Sequence, residues 1–249
     1  MSDARVARAD LRALTAARVA LPMSGHSVAT EEVLAFQLDH ARARDAVHAE
    51  LDGAAFARRL REAIPMLGVQ VLTLRSCAVD RAEYLRHPEL GRRLDAASAE
   101  MLTACGCDVA VTVADGLSAL AVERYAIPLL AELLPRLVAE GWTIGPVTVV
   151  QQGRVAVGDA IGERLGARCG LVLIGERPGL SAADSMGAYL TWMPRVGRMD
   201  AERNCLSNIR DGGLGVEEAA ERLVGLMKGA RAMGLSGVAL KEGTRRLGG

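Results

Sequence analysis

The sequence predicts an α/β fold, namely a doubly wound, mostly parallel, Rossmann-like sheet with helices on both faces, preceded by an N-terminal helical segment. From about residue 66 onwards, short β-branched runs alternate with helical stretches, which is typical of right-handed crossover units. The run Asp108–Ala114 is almost continuously apolar, as expected of a strand buried on both faces. The residues before this region show only helical periodicity. We therefore expect two units, residues 1–65 and residues 66–249.

The first unit contains two predicted helices. Ala4–Arg18 has apolar residues at helical spacing, and Leu21–Gly25 interrupts that helix. Thr30 is predicted to be the N-cap of a second helix that runs to about His48. The end of this helix, His40–His48, is densely charged. It is either a solvated helix face, which the residues favour, or a docking surface for a partner or for phosphate.

Five strands are predicted in the second unit. They are Val69–Leu74, Asp108–Ala114, Val147–Val150, Leu171–Ile174 and Ala188–Trp192. The first alternates along its length, and the others are short apolar or β-branched runs bounded by turn residues.

Helices are predicted between and after these strands. They are Ala96–Ala104, Ala119–Glu140, Val157–Leu165 and Val216–Met233, and Asp80–Leu94 is a charged connection with short helical pieces. Pro128 predicts a break within Ala119–Glu140, because proline lacks the amide that a helix interior needs. Gly158, Gly162 and Gly166 lie on one helix face and predict that this helix closely approaches the sheet or a partner.

Composition argues against several classes of function. Thirty basic residues balance 30 acidic ones, and only 3% of residues are aromatic. Balanced charge gives no general attraction to nucleic acid or to an anionic membrane, and few aromatic rings are present to stack on single-stranded bases. No apolar run is long enough to span a membrane, and no signal peptide is visible.

The five cysteines are odd in number and scattered, which predicts reduced thiols in the cytoplasm. Cys105 and Cys107 form a C-x-C pair, but no second pair is present to complete a zinc site. We expect these two thiols to be buried or half-buried in a turn, and no metal site.

Candidate ligand-binding residues follow the predicted strands, because an open parallel sheet binds ligands beyond the carboxyl ends of its strands. Asp115 either caps the next helix, which is the commoner role, or accepts a ligand hydroxyl or amide. Glu176 either accepts hydrogen bonds from the amide or hydroxyl groups of a ligand or pairs with a neighbouring arginine, and the two roles are equally supported. Gln151–Asp159 contains glycine but has neither P-loop nor G-x-G-x-x-G spacing. Cys205 has no neighbouring histidine to activate it and is expected to line a pocket.

No catalytic set is visible in these segments. From the residues alone, the prediction ends at a reduced, cytosolic α/β protein with a ligand crevice.

Seven segments allow a more specific prediction. They are Phe36–Val47, Tyr84–Leu94, Val113–Ala119, Gly153–Asp159, Leu173–Leu180, Tyr189–Trp192 and Glu202–Asn208. In this order and combination they resemble the small (light) subunit family of ethanolamine ammonia-lyase, over a range from about Leu11 to Lys241. The longer leader that some members of the family carry ahead of the first helix is expected to be absent.

The resemblance implies an enzyme subunit. The family's holoenzyme is a carbon–nitrogen lyase that deaminates ethanolamine to acetaldehyde and ammonia by the radical chemistry of adenosylcobalamin. The resemblance implies that the cofactor lies between this chain and a large catalytic subunit, and that several large–small pairs associate. It also implies that residues 1–65 dock to the partner, and that the complex is cytoplasmic or enclosed in a bacterial microcompartment.

Three cofactor-binding positions carry over by motif. The resemblance implies apolar packing on the corrin by Val155 and Cys205, and a hydrogen bond from a corrin amide to Glu176. Asp115 and Arg177 are secondary candidates, behind the cofactor contacts or at the interface. No catalytic residue is expected in this chain, which would be inactive alone.

Two other functions remain open at this point. One is a free-standing nucleotide-binding α/β enzyme, against which the missing phosphate-loop spacings count. The other is a non-enzymatic interaction module.

Overall fold

Six strands form one mixed sheet in the computed structural model, which describes residues 11, 14, 15, 17–65 and 68–240. The strands are β1 (Met23–Ser24), β2 (Ser27–Val28), β3 (Val71–Arg75), β4 (Val109–Ala114), β5 (Ile144–Gln151), β6 (Cys169–Gly175), β7 (Met186–Trp192) and β8 (Arg203–Ile209). The six-stranded sheet has the order β3-β5-β4-β6-β7-β8, and β1 and β2 form a separate hairpin. Strands β3, β5, β4 and β6 are parallel, whereas β7 and β8 are antiparallel to their neighbours.

Helices lie on both faces of the sheet. They are α1 (Thr30–His48), α2 (Gly53–Ala63), α3 (Arg81–Arg86), α4 (Ala96–Glu100), α5 (Ala119–Ala139), α6 (Val157–Leu165) and α7 (Val216–Met233), with short 3₁₀ turns at Leu90–Arg92 and Asp200–Glu202. Alternate residues of β4 point to opposite faces, so that Val111 belongs to the main core together with residues of α2, α5 and α7, whereas Ala110 belongs to a smaller core cluster together with residues of α6. The predicted doubly wound α/β fold is therefore confirmed.

Helix α2 packs against β3 and β5 and places Phe56 and Leu60 in the main core. In contrast, Ala46 is the only residue of α1 that is buried. The division of the chain into units 1–65 and 66–249 stays a prediction, and most of the predicted helix Ala4–Arg18 lies outside the described residues.

Several predicted boundaries differ from the structure. Thr30 is the first residue of α1 and not its N-cap, because the carbonyl of Ala29 accepts from the amides of Glu32 and Val33. Helix α4 ends at Glu100 and does not reach residue 104. Cys107 is buried as expected, but Cys105 is exposed.

Helix α5 is continuous through Pro128, although a break was predicted there. Leu129, Leu130, Leu133 and Leu134 are fully buried in the main core. Burial of these side chains offsets the missing hydrogen bond of proline and keeps the helix intact.

Candidate functional site

A crevice opens between the carboxyl ends of β4 and β5. The chain leaves β4 for α5 on one face of the sheet and leaves β5 for α6 on the other, which makes this point a topological switch. Asp115, directly after β4, is fully buried and spans the crevice. Its two carboxylate oxygens accept from the amides of Gln152 and Gly153, at 2.9 and 3.0 Å. Asp115 thereby ties the end of β4 to the turn that follows β5.

Arg81 and Tyr84 of α3 fill the crevice beside this aspartate. Arg81 Nη1 lies 3.9 Å from Asp115 Oδ2 and donates to the carbonyl of Gly116 at 2.7 Å. The hydroxyl of Tyr84 donates to the carbonyl of Gly153 at 3.1 Å. Burial raises the pKa of Asp115 to about 6, because the loss of hydration outweighs the amides and Arg81.

Asp115 therefore has neither of the two roles considered for it. Ser118, and not Asp115, caps α5 by accepting from the amide of Ala121. Both oxygens of Asp115 are bonded to the turn after β5, away from any ligand-facing surface. Its role is to hold the segment that carries Val155 in place.

A cleft of about 250 Å³ lies above these strand ends, and we call it the strand-end cleft. It is lined by Tyr84, Gly116, Leu117, Arg154, Val155, Ile174, Gly175, Glu176, Arg177 and Tyr189. Val155 is half-buried in the turn before α6 and packs against the smaller core cluster. Two of the predicted positions, Val155 and Glu176, thus face the same cavity.

Glu176, directly after β6, is held in a defined orientation. Its Oε2 accepts from the hydroxyl of Ser185 and from the amide of Asn208 at 3.2 Å. Its Oε1 accepts no hydrogen bond within the described part of the chain, and Glu176 forms no salt bridge there. Within the described residues Glu176 therefore pairs with no arginine, and its Oε1 is available to accept a hydrogen bond.

A β-bulge in β8 orients the backbone amide of Asn208 towards the carboxylate of Glu176. The register of β7 with β8 shifts between Met186 and Ala188, so that β8 contains one extra residue there. Asn208 has a positive φ of 62°, which asparagine tolerates better than most residues. Gly187 lies under the carboxylate, and a Cβ at that position would approach Oε1 to 3.0 Å.

Cys205 lies beside this cleft on the same sheet face. It pairs with Tyr189 across β7 and β8, and directly opposed residues point to the same side. Tyr189 is half-buried against the smaller core cluster and lines the cleft, whereas Cys205 is exposed. Desolvation raises the pKa of the Cys205 thiol, so it stays protonated near neutral pH and is a poor nucleophile. An exposed, protonated thiol is suited to van der Waals contact with a ligand rather than to nucleophilic attack.

Reactive groups are scarce in this region. Among the described residues, no three His, Cys, Asp or Glu side chains are close enough together to hold a metal ion. No helix in the described ranges is long and apolar enough to cross a membrane. The cleft can bind, orient and shield a ligand, and nothing in its lining provides a nucleophile paired with a base.

Comparison with known proteins identifies the family. The model of the ethanolamine ammonia-lyase light chain (EutC) family matches residues 6–241. The chain belongs to this family. It is 52% identical over 238 residues to the ethanolamine ammonia-lyase small subunit of Ralstonia nicotianae, a match covering 93% of this chain and 87% of that protein. The proteins of the same name from Azotobacter vinelandii and Pseudomonas putida are 53% and 51% identical over 93% of this chain, covering 87% and 86% of their own lengths.

The resemblance predicted from sequence motifs is thus confirmed, and the light chain is a subunit of a lyase. Sequence reasoning missed the contributions of Arg81, Tyr84 and Tyr189 to this region. Tyr84 and Tyr189 fall within the segments that carried the resemblance. The scarcity of tyrosine could have drawn attention to these two residues. The chain has only three tyrosines, and two of them line the strand-end cleft.

Proposed function

We propose that this light chain is the small subunit of an adenosylcobalamin-dependent ethanolamine ammonia-lyase, which deaminates ethanolamine to acetaldehyde and ammonia. In this proposal it forms one wall of the cofactor site, against the large catalytic subunit. The main support is that three residues distant in sequence come together: Val155 and Glu176 line the strand-end cleft, and Cys205 lies beside it as the strand partner of Tyr189.

The residues present fit this cofactor. Corrin carries a rim of amide groups, and Glu176 Oε1 is an acceptor held in place by the bonds to Oε2. Val155 and the Tyr189–Cys205 pair provide a largely apolar surface for the macrocycle. When bound, adenosylcobalamin supplies radical chemistry through homolysis of its cobalt–carbon bond. This chain's residues bind the cofactor, orient it and exclude water.

We propose in addition that the N-terminal segment docks to the large subunit. Leu34 and Leu38 of α1 are 60% and 52% exposed, which is costly for apolar side chains in a protein that functions alone. In our proposal several large–small pairs associate and function in the cytoplasm or inside a bacterial microcompartment. The five cysteines are all free thiols, in keeping with a reducing compartment.

The test is cobalamin binding by the reconstituted large–small complex. Glu176→Gln keeps the shape of the side chain but places an NH₂ group where a carboxylate oxygen should accept. We expect cofactor affinity to fall about fivefold, since one hydrogen bond contributes on the order of 1 kcal/mol. Retained cofactor is measured from its visible absorption after ultrafiltration.

Glu221→Gln is the matched control. Glu221 is exposed on α7, which packs on the opposite face of the sheet, and its replacement should leave affinity unchanged. Equal affinities of the Glu176→Gln and wild-type complexes would refute the role of Glu176. A wild-type complex that retains no cobalamin would refute the proposed function itself.

A further inference from the structure

A second, larger cleft adjoins the strand-end cleft. It measures about 510 Å³, and it lies between the C-terminal half of α1 and the loop after β6. Leu117, Arg154 and Arg177 line both cavities. We call it the arginine cleft, because Arg44, Arg154 and Arg177 line it and its lining contains no carboxylate among the described residues.

The guanidinium of Arg154 is fixed, and no carboxylate in the described part of the chain pairs with it. It stacks on the ring of Tyr84, with its central carbon 4.3 Å from the ring centroid. The amide of Arg154 donates to the carbonyl of Gly91 at 2.7 Å. Its Nε is buried without a hydrogen-bond partner, which is unfavourable unless a ligand accepts from this side chain.

The other two arginines of the cleft are also available to bind an anion. Arg177 is exposed, and its side chain makes no hydrogen bond or ion pair within the described ranges. Arg44 lies 3.6 Å from its neighbour Asp45, but both side chains are largely exposed, at 66% and 72%. Such an exposed pair is weak, so Arg44 can turn to another anion at little cost.

Resting on the proposed function, we infer that the arginine cleft binds the phosphodiester of the cofactor's nucleotide arm. Guanidinium groups match phosphate oxygens in geometry and charge, and remain protonated at any working pH. The phosphodiester is an anionic group of cobalamin carried on an arm that leaves the corrin rim. The two cavities are adjacent and share three lining residues, so a corrin against the strand-end cleft can extend this arm into the neighbouring cleft.

Two forms of the cofactor isolate the phosphodiester. Adenosylcobalamin contains it, whereas adenosylcobinamide retains the corrin and the adenosyl group but lacks the nucleotide arm. Affinity for each is measured spectroscopically on the large–small complex, with wild-type chain and with Arg177→Gln. We expect Arg177→Gln to weaken adenosylcobalamin binding about tenfold, the effect of losing one charge-assisted hydrogen bond. Affinity for adenosylcobinamide should change less than about twofold.

Arg154→Gln extends the test to the stacked arginine. It is expected to show the same selectivity, and thermal unfolding of the isolated chain reports any loss of folding that accompanies the lost stacking on Tyr84. Arg177 is exposed, so we expect Arg177→Gln to fold. The test can therefore be completed with this variant even if Arg154→Gln does not fold. Arg195→Gln, at an exposed position in the loop that follows β7 at the opposite end of the sheet, is the control and should bind both cofactor forms as wild type does.

Inorganic phosphate provides an independent probe. It should weaken adenosylcobalamin binding to the wild-type complex and have a smaller effect on Arg177→Gln. An equal loss of both cofactor forms in Arg177→Gln would indicate that the arginine contacts the partner subunit, and would overturn the inference. Unchanged affinity for both forms would also overturn it, while leaving the proposed function intact. If the wild-type complex bound neither form, the proposed function would fail as well.

Discussion

At the scale of single residues, Asp115 is the clearest case of a side chain whose two acceptor oxygens are both required. We predict that Asp115→Asn lowers the free energy of unfolding by about 1–3 kcal/mol, the cost of leaving a buried donor without an acceptor. The amide can accept through only one atom, so one of the two amides of the β5–α6 turn faces an NH₂ group. Arg81, which is 4% exposed, also loses its buried counter-charge. Urea denaturation of the isolated chain measures the change.

The matched control is the same substitution at Asp80. This residue is exposed and caps α3 with one oxygen, which accepts from the amide of Glu83. Asparagine is as good an N-cap as aspartate, so Asp80→Asn should change the unfolding free energy by less than about 0.5 kcal/mol. Equal effects at the two positions would show that the double acceptor role of Asp115 has no energetic importance.

Sequence reasoning identified some residues of the candidate site and missed others. Glu176 and Asp115 stood out because each follows a buried strand. The proximity of Cys205 to Glu176 could not be predicted, since it depends on the β7–β8 register and on a bulge at Asn208. Arg177 was a secondary candidate only through the family resemblance, and Arg154 gave no signal, because a chain with 30 basic residues offers no reason to select one of them.

At the scale of elements, the glycine spacing in α6 reflects close packing on the sheet. A Cβ on Gly158 would lie 2.2 Å from Val172 Cγ2 on β6, a residue that is 3% exposed. We predict that Gly158→Ala destabilises the chain by about 1–3 kcal/mol, because this overpacking exceeds the ~1 kcal/mol that alanine contributes to helix propensity. Thermal or urea unfolding provides the measurement.

Gly225 in α7 separates the effect of overpacking from the effect of helix propensity. A Cβ there would meet nothing within 4 Å, so Gly225→Ala should stabilise the chain by about 0.5–1 kcal/mol through helix propensity alone. If both alanine variants were stabilising, then α6 would have room to move away from β6, and the close-packing argument would fail.

The elements that sequence reasoning recovered are those with buried apolar runs, such as β4 and β6. Strand β8 was not predicted as a strand. It lies at the edge of the sheet and contains Arg203, Asn204 and Ser207, which hide its buried residues Leu206 and Ile209. Its strand character comes from pairing with β7, a long-range contact that a local pattern does not encode.

At the scale of the whole molecule, two surfaces point to a protein that functions in an assembly. One is the open sheet face with the strand-end cleft and the arginine cleft. The other is the outer side of α1, a 19-residue helix with a single buried residue. Helix α1 also lines the arginine cleft through His40 and Arg44. The two surfaces are therefore adjacent, and one large partner can cover both.

This arrangement makes a prediction about assembly. Leu34→Gln on α1 should weaken association with the large subunit about tenfold or more, since burying a leucine side chain contributes about 1.5–3 kcal/mol. The isolated chain should keep its unfolding midpoint, because Leu34 is 60% exposed in it. Val138→Gln is the control, at a 48%-exposed position near the C-terminal end of α5. Association is measured by titrating the labelled chain with large subunit. If Leu34→Gln and Val138→Gln bound the partner equally well, α1 would not be the docking element, and its exposed leucines would need another explanation.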